Sequence, residues 1–183
     1  MKIMIIRHGK VNMEWQKLST SRQFDMDCHK YDISPLYPIH KKIKGVTGTD
    51  IYTSTLKRTR DTAEALCGSR TFIETKLLNE VPLKSFCDSR IPLPLLVWNV
   101  IGRLQWGMGN IRQPEGRKDS QRRANILIEE LIRKNRDCVL VSHGFFMRIL
   151  IKELKRYGFK INKRRMRLGN LDFVLASREE WMA

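Results

Sequence analysis

Two histidines follow directly upon the two most apolar predicted strands of the chain. His8 comes after the run at residues 2–6, His143 comes after the run at 138–142, and each is followed by a glycine. Such continuous apolar runs are typical of strands in the middle of a parallel sheet. If both strands lie in one such sheet, both imidazoles emerge at the carboxyl edge, where these sheets bind ligands.

The residue types at this edge suit phosphoryl transfer. A neutral imidazole can act as a nucleophile, and a covalent intermediate divides one difficult displacement into two easier ones. The reaction otherwise needs cationic donors around the phosphate oxygens and an in-line approach. Arg7 precedes His8 and offers a guanidinium suited to bidentate phosphate binding. The remaining histidines, His29 and His40, lie in a stretch of poor periodicity, and we assign them no role.

The elements that position these residues alternate between strand and helix. Strands are predicted at 2–6, 50–53, 72–74, 138–142 and 171–176, and helices at 56–66, 119–135 and 146–154. This alternation predicts a three-layer α/β/α domain with a largely parallel central sheet. The length of 183 residues suits a single domain over 1–183. Residues 82–116 are rich in Pro, Gly and Trp, and we expect short helical pieces and loops that cover the site.

Composition excludes several other classes of protein. No apolar run approaches the roughly 20 residues that cross a bilayer, and the segment before Arg7 is too short for a signal peptide. We therefore expect a cytoplasmic protein with no membrane partner. The four cysteines form no Cys-x-x-Cys pair, which favours a reducing compartment and disfavours a metal site.

The charge balance favours anionic ligands. A formal net charge of +16 attracts phosphates, nucleic acid or acidic lipid headgroups. Basic residues cluster on the polar side of the helix at 119–135, including Arg122-Arg123, and again at 160–167. They form a solvated face, a funnel for a polyanionic substrate, or a nucleic-acid surface. The last requires interleaved aromatic residues, which 160–167 lacks, so nucleic acid is the least favoured partner.

Four ordered segments resemble the histidine phosphatase superfamily, also called phosphoglycerate-mutase-like, in its mutase-like branch. Arg7-His8-Gly9 resembles its signature, and residues 52–63 resemble its second motif, which contributes Arg58. Leu78-Asn79-Glu80 is similar to the segment with the acidic residue, and Val141-Ser142-His143-Gly144 to the segment with the second histidine. The resemblance spans most of the chain and implies the phosphoglycerate-mutase-like fold.

The resemblance also implies roles for five residues. His8 would be the phosphorylated nucleophile, and Arg7 and Arg58 would clamp the phosphate. His143 would donate a further contact to the transferring group. Glu80 would protonate the leaving oxygen and then deprotonate the attacking water. No cofactor and no metal are implied, and the substrate would be a small phosphorylated metabolite.

Departures from the family pattern favour a phosphatase over a mutase. Lys10 stands where many mutases have glutamate, and residues 81–86 replace the segment expected after the acidic residue. Two alternatives stay open. One is a mutase that returns the phosphate to another hydroxyl. The other is an idle family member that binds phosphoprotein or RNA, although such a protein has no need of all five residues.

Overall fold

A six-stranded sheet lies at the centre of the computed structural model, which describes residues 1–43, 48–162 and 168–178. In chain order the strands are β1 (Lys2–Arg7), β2 (Leu18–Ser19), β3 (Asp50–Thr53), β4 (Ile73–Glu74), β5 (Leu93–Pro94), β6 (Cys138–Ser142), β7 (Lys160–Asn162) and β8 (Phe173–Ser177). The sheet has the order β4-β3-β6-β1-β8-β7, while β2 and β5 form a separate pair. Neighbours from β4 to β1 pair in parallel, and β8 is antiparallel to β1 and to β7.

Helices cover both faces of the sheet. They are α1 (Ser21–Ile33), α2 (Lys57–Cys67), α3 (Leu95–Met108), α4 (Arg117–Lys134) and α5 (Gly144–Arg156), with a 3-10 helix at Lys76–Leu78. One apolar core joins α4 and α5 to the sheet through residues such as Ile3, Ile5 and Leu140. A second core joins α2 to the opposite face through Ile6 and Val141. The predicted α/β/α architecture with a largely parallel sheet is confirmed.

The pairing of β1 with β6 sets the position of the site. Arg7 lies opposite Ser142 in this parallel pair, and the backbone N–H of His8 donates to the Ser142 carbonyl at 2.9 Å. The next residue on each strand is a histidine. Both imidazoles therefore emerge side by side at the carboxyl edge of the sheet, as the sequence indicated.

The stretch 10–46, which shows poor periodicity, contains a helix that we did not predict. Helix α1 begins after Thr20, whose hydroxyl accepts the Gln23 N–H while the Gln23 side chain accepts the Thr20 N–H. This capping box satisfies donors that the first turn would leave free. Its sequence signature, Thr-x-x-Gln, is present, but the helix buries only Phe24 and Asp27 and so lacks a clear apolar stripe.

The covering segment 82–116 contains a longer helix than we expected. The 14 residues of α3 form one continuous helix rather than short pieces. Trp98 fixes it in place: the ring is fully buried, stacks on Phe24 of α1 at 5.5 Å, and its indole N–H donates to the Ser19 carbonyl.

Two further sequence expectations concern exposed or terminal parts of the chain. Of the basic segment 160–167, residues 160–162 belong to β7, and residues 163–167 lie outside the described residues. Within the described ranges, no helix combines the length and the apolar character needed to cross a membrane.

Candidate active site

His8 is buried in the form that a nucleophile requires. Its Nδ1 lies 2.7 Å from the Gly9 carbonyl oxygen. Because a carbonyl can only accept, Nδ1 carries the proton and the lone pair remains on Nε2. Burial, followed by the positive charges of Arg58 and Arg7, lowers the pKa of His8, while the hydrogen bond to Gly9 raises it. The net result is a pKa of about 3. The imidazole is therefore neutral at physiological pH.

His143 lies beside His8 and is held through both ring nitrogens. The two ring centroids are 5.1 Å apart. The Arg58 Nε–H donates to His143 Nδ1 at 3.2 Å, so the proton of this neutral ring lies on Nε2, which donates to Ser54 Oγ at 2.8 Å. Burial, followed by the charge of Arg58, lowers the pKa of His143 well below its usual value.

A hydroxyl relay fixes this tautomer. The Ser54 and Thr59 hydroxyl oxygens are 2.8 Å apart, and the Thr59 hydroxyl lies 2.8 Å from the Leu56 carbonyl. Thr59 can donate to that carbonyl only if it accepts from Ser54, which in turn leaves Ser54 free to accept from His143. The ring thus has one hydrogen-bonding arrangement, and Ser54, which lies inside the second motif, joins the site.

Arg58 connects the buried histidines to the cavity. Its guanidinium is buried, stands 5.1 Å from the Tyr31 ring, and donates from Nη1 to Asp32 at 2.8 Å. With Nε engaged by His143, Nη2 makes no hydrogen bond within the described part of the chain. Asp32 is about half exposed and partly balances this charge. No sequence signal pointed to Asp32, because α1 itself was not predicted.

Arg7 lies against the start of α5. Its Nη1 donates to the Leu168 carbonyl at 2.6 Å, but its Nε is buried without a partner in the described structure. A Cβ at Gly144 would stand 2.9 Å from Arg7 Cζ, so a side chain at 144 would displace the guanidinium. Gly144 therefore makes room for Arg7. A buried donor with no partner is costly, and an anion at this point would satisfy it.

Glu80 lies where the 3-10 helix region meets the N-terminus of α5. Its Oε1 accepts the backbone N–H groups of Val81 and Phe146 at 3.0 and 2.9 Å, and its Oε2 accepts that of Phe145 at 3.2 Å. These hydrogen bonds, two of them from the N-terminus of α5, hold the Glu80 carboxyl group in place and satisfy N–H groups that the first turn leaves free. The side chain also lines the cavity beside Arg58.

A cavity of about 640 Å³ is lined by Arg58, Asp32 and Glu80 of this group, whereas the buried His8 and His143, together with Arg7, do not line it. Trp15 and Tyr31 form an aromatic wall, with ring centroids 5.3 Å apart, and Tyr31 meets His8 edge-on at 6.4 Å. The segment 82–116 also lines the cavity, through Pro82, Leu83, Asn99, Arg103 and Glu115.

Two arginines differ from their sequence-based interpretation. Arg123 was expected on the solvated side of α4, but it lies in the cavity wall. There it pairs with Glu115 at 3.0 Å and donates to the Asn79 carbonyl. Arg112 belongs to the segment 82–116, which we expected to cover the site, but it pairs with Asp88 and does not line the cavity. Helical periodicity predicts the face of the helix on which a residue lies. It does not predict which residues of a neighbouring loop contact that face.

The remaining ionisable groups form no metal centre in the structure as described. No group of three His, Cys, Asp or Glu side chains is arranged to hold an ion among residues 1–43, 48–162 and 168–178. The arrangement instead provides a neutral imidazole with a free Nε2, two guanidinium groups with unused N–H donors, and one carboxylate.

Comparison with known proteins identifies the family to which the chain belongs. The model of the histidine phosphatase superfamily (branch 1) matches residues 3–180. The chain belongs to this superfamily, as its four motifs indicated. No curated protein sequence matches it significantly.

Two solved structures show the same fold. The phosphoserine phosphatase of Entamoeba histolytica, in complex with 3-phosphoglyceric acid, is 17% identical with a TM-score of 0.53, covering 95% of this chain and 89% of that one. A mycobacterial glucosyl-3-phosphoglycerate phosphatase, in complex with VO3, is 18% identical with a TM-score of 0.55, covering 95% and 91%. At such low identity the likeness concerns the fold.

The buried neutral histidines make stability depend on pH. The unfolded chain binds a proton on His8 below about pH 6.5, whereas the folded chain does so only near its lowered pKa of about 3. The unfolded state therefore binds more protons in this window, and stability falls as pH decreases through it. Between about pH 7 and pH 5, His8 alone should remove about 2 kcal/mol from the free energy of unfolding.

Urea unfolding at these two pH values tests this expectation. The His8→Gln variant cannot take up the proton, so its loss over the same interval should be smaller by about 2 kcal/mol. The same substitution at the exposed His40 is the matched control. Equal losses for wild type and His8→Gln would contradict the lowered pKa of His8.

Proposed function

We propose that the chain is a phosphomonoesterase that hydrolyses a small phosphorylated metabolite through phosphohistidine on His8. The observation that carries this proposal is the buried, neutral His8 with its lone pair on Nε2, preceded in the chain by Arg7, whose Nε has no partner among the described residues. A nucleophile and an unsatisfied cationic donor on adjacent residues suit the phosphorus atom and the oxygens of a phosphate.

The first step forms the covalent intermediate. His8 Nε2 attacks the phosphorus atom, and the bond from phosphorus to the ester oxygen breaks with its electron pair on that oxygen. The proposed mechanism starts from the protonated form of Glu80, which gives its proton to the leaving oxygen and becomes a carboxylate, so the product departs as the alcohol. The Nδ1–H of His8 keeps donating its hydrogen bond to the Gly9 carbonyl. This bond holds the imidazole ring in position as positive charge develops on the ring.

The second step reverses these roles. Water attacks phosphorus and gives its proton to Glu80, and the bond between phosphorus and Nε2 breaks to return neutral His8 and inorganic phosphate. Glu80 has about four lone-pair positions on its carboxylate, and three backbone N–H groups occupy three of them. The remaining position is the one from which a single proton can be exchanged.

Arg7, Arg58 and His143 have different roles in binding the phosphate. Arg7 offers its Nε and Arg58 its Nη2, neither of which has a partner among the described residues, so the developing charge meets two guanidinium groups. Both nitrogens of His143 are already engaged by Arg58 and Ser54. In this arrangement His143 orients the Arg58 guanidinium, and it can contact the phosphate itself only by giving up one of those bonds.

The substrate class follows from the cavity. About 640 Å³ bounded by Trp15, Tyr31 and several charged side chains accommodates a small organic phosphate.

The four cysteines are all free, which supports activity in a reducing compartment such as the cytoplasm. No step in the proposed chemistry requires a metal ion or a cofactor.

Hydrolysis of para-nitrophenyl phosphate in the presence of EDTA tests the proposed function. Wild type should release inorganic phosphate without added metal, and His8→Ala should lose at least about 10³-fold in kcat because the nucleophile is gone. His40→Ala, at an exposed histidine, is the matched control and should keep wild-type activity. Activity retained by folded His8→Ala, or lost by wild type in EDTA, would contradict the mechanism.

The role of Glu80 is tested by varying the leaving group. Glu80→Gln keeps the shape of the side chain but cannot supply the proton, so alkyl phosphates should be hydrolysed about 10²–10⁴-fold more slowly. Para-nitrophenyl phosphate, whose leaving group needs little protonation, should be affected much less. Glu115→Gln, in the same cavity wall, should not show this selectivity. Equal effects on both esters would argue against Glu80 as the acid.

A further inference from the structure

Helix α3 exposes an apolar stripe. Leu96, Val100, Leu104 and Met108 are 72%, 49%, 59% and 75% exposed, and their spacing of four residues aligns them along one side of the helix. Ile111, just beyond the helix, is fully exposed. Single exposed apolar residues are ordinary, but a contiguous set this long marks an interaction surface. We call these five residues the α3 stripe.

The rest of the structure fixes the stripe in this outward position. Trp98 and Gly102 bury the opposite side of the helix, and the Trp98 indole donates to the Ser19 carbonyl. Arg103, next to the stripe on the helix surface, reaches the Val81 carbonyl at 3.1 Å and lines the catalytic cavity. Rotation of α3 to bury the stripe would break all of these contacts, so the stripe stays exposed until something else covers it.

Basic side chains stand at both ends of the stripe. Arg90 is exposed one residue before the exposed Ile91, at the end that leads into α3. At the other end, Met108 and Ile111 share one surface cavity with the exposed side chains of Arg117, Lys118 and Arg122. Among the described residues, no carboxylate forms an ion pair with any of these four cations.

The nearby acidic groups are already engaged. Asp88 pairs with Arg112, and Asp119 accepts the Gly116 N–H at the start of α4. At the Met108 end, Glu115 pairs with Arg123, so Arg117, Lys118 and Arg122 share the surface with the single remaining carboxylate of Asp119. The stripe therefore has a net positive charge at this end and Arg90 at the other, on a chain whose formal net charge is +16.

We propose that the α3 stripe binds the surface of an anionic lipid bilayer, with its apolar side chains inserted among the acyl chains and the basic ends on lipid phosphates. The exposed apolar side chains match the acyl chains of a bilayer, and the basic side chains at both ends match its anionic phosphates. A second copy of this chain is disfavoured, because either antiparallel or parallel docking of two stripes brings basic ends together. Apolar side chains combined with cations are the features that bind helices to anionic membrane surfaces.

This surface binding differs from crossing a bilayer and changes the sequence-based expectation of no membrane partner. Because Asn99 and Arg103 of α3 line the catalytic cavity, docking would bring that wall of the cavity close to the lipid surface. The proposal does not depend on the catalytic chemistry, since the His8→Ala variant carries the same stripe.

Flotation with lipid vesicles tests the proposal. Full-length wild type should float with vesicles of phosphatidylcholine and phosphatidylglycerol and much less with phosphatidylcholine alone. Leu104→Glu combined with Met108→Glu should weaken binding by about tenfold or more, because two inserting side chains become charged. Met26→Glu combined with Ile33→Glu is the matched control, since these α1 residues are 61% and 63% exposed. Equal loss in both double variants would overturn the proposal.

The electrostatic part is tested with two triple variants of equal charge. Glutamine at Arg117, Lys118 and Arg122 should weaken flotation strongly, whereas glutamine at Arg133, Lys152 and Lys155, on other surfaces, should weaken it much less. Equal losses would mean that only net charge matters and would contradict a specific surface. Absence of flotation for folded, active wild type would overturn the proposal. A dimer in solution that Leu104→Glu with Met108→Glu dissociates would assign the stripe to a second copy instead.

Discussion

Backbone hydrogen bonds between β1 and β6 hold two strand ends side by side, and the candidate active site depends on this parallel pairing. The His8 N–H donates to the Ser142 carbonyl, so the residues that follow each strand leave the sheet at the same level. A slip of one residue would turn one imidazole to the other face of the sheet. The buried apolar side chains of both strands oppose such a slip, because it would move Ile5 or Val141 out of the core in which each packs and into the opposite one.

The second constraint is electrostatic. Arg7 and Arg58 place positive charge next to two buried imidazoles, which stay neutral for that reason and because they are buried. Asp32 offsets part of this charge, and the Arg7 Nε remains without a partner within the described structure. Buried cationic donors are costly when unpaired. A bound phosphate would satisfy these donors. The free energy that the unliganded protein loses by leaving them unpaired would then contribute to its affinity for phosphate.

Much of this arrangement could be predicted from the sequence, for physical reasons. Central strands are apolar on both faces, so β1 and β6 were clear, and the residues that follow them define the edge of the sheet. What could not be predicted depends on contacts between distant segments. Helix α1 has only two buried residues and therefore no periodic signal, so Asp32 beside Arg58 was missed. Arg123 was placed on the solvated side of α4, because nothing in its own helix shows that Glu115 and the Asn79 carbonyl lie against it.

The most direct test of the central claim is to trap the phosphoenzyme. Rapid acid-free quenching during turnover of para-nitrophenyl phosphate, followed by peptide mass spectrometry, should find phosphate on Nε2 of His8. The modification should be labile in acid and stable in base, and it should be absent from the His8→Ala variant. Turnover with no phosphorylated protein at any quench time, or with phosphate on a residue other than His8, would contradict the account.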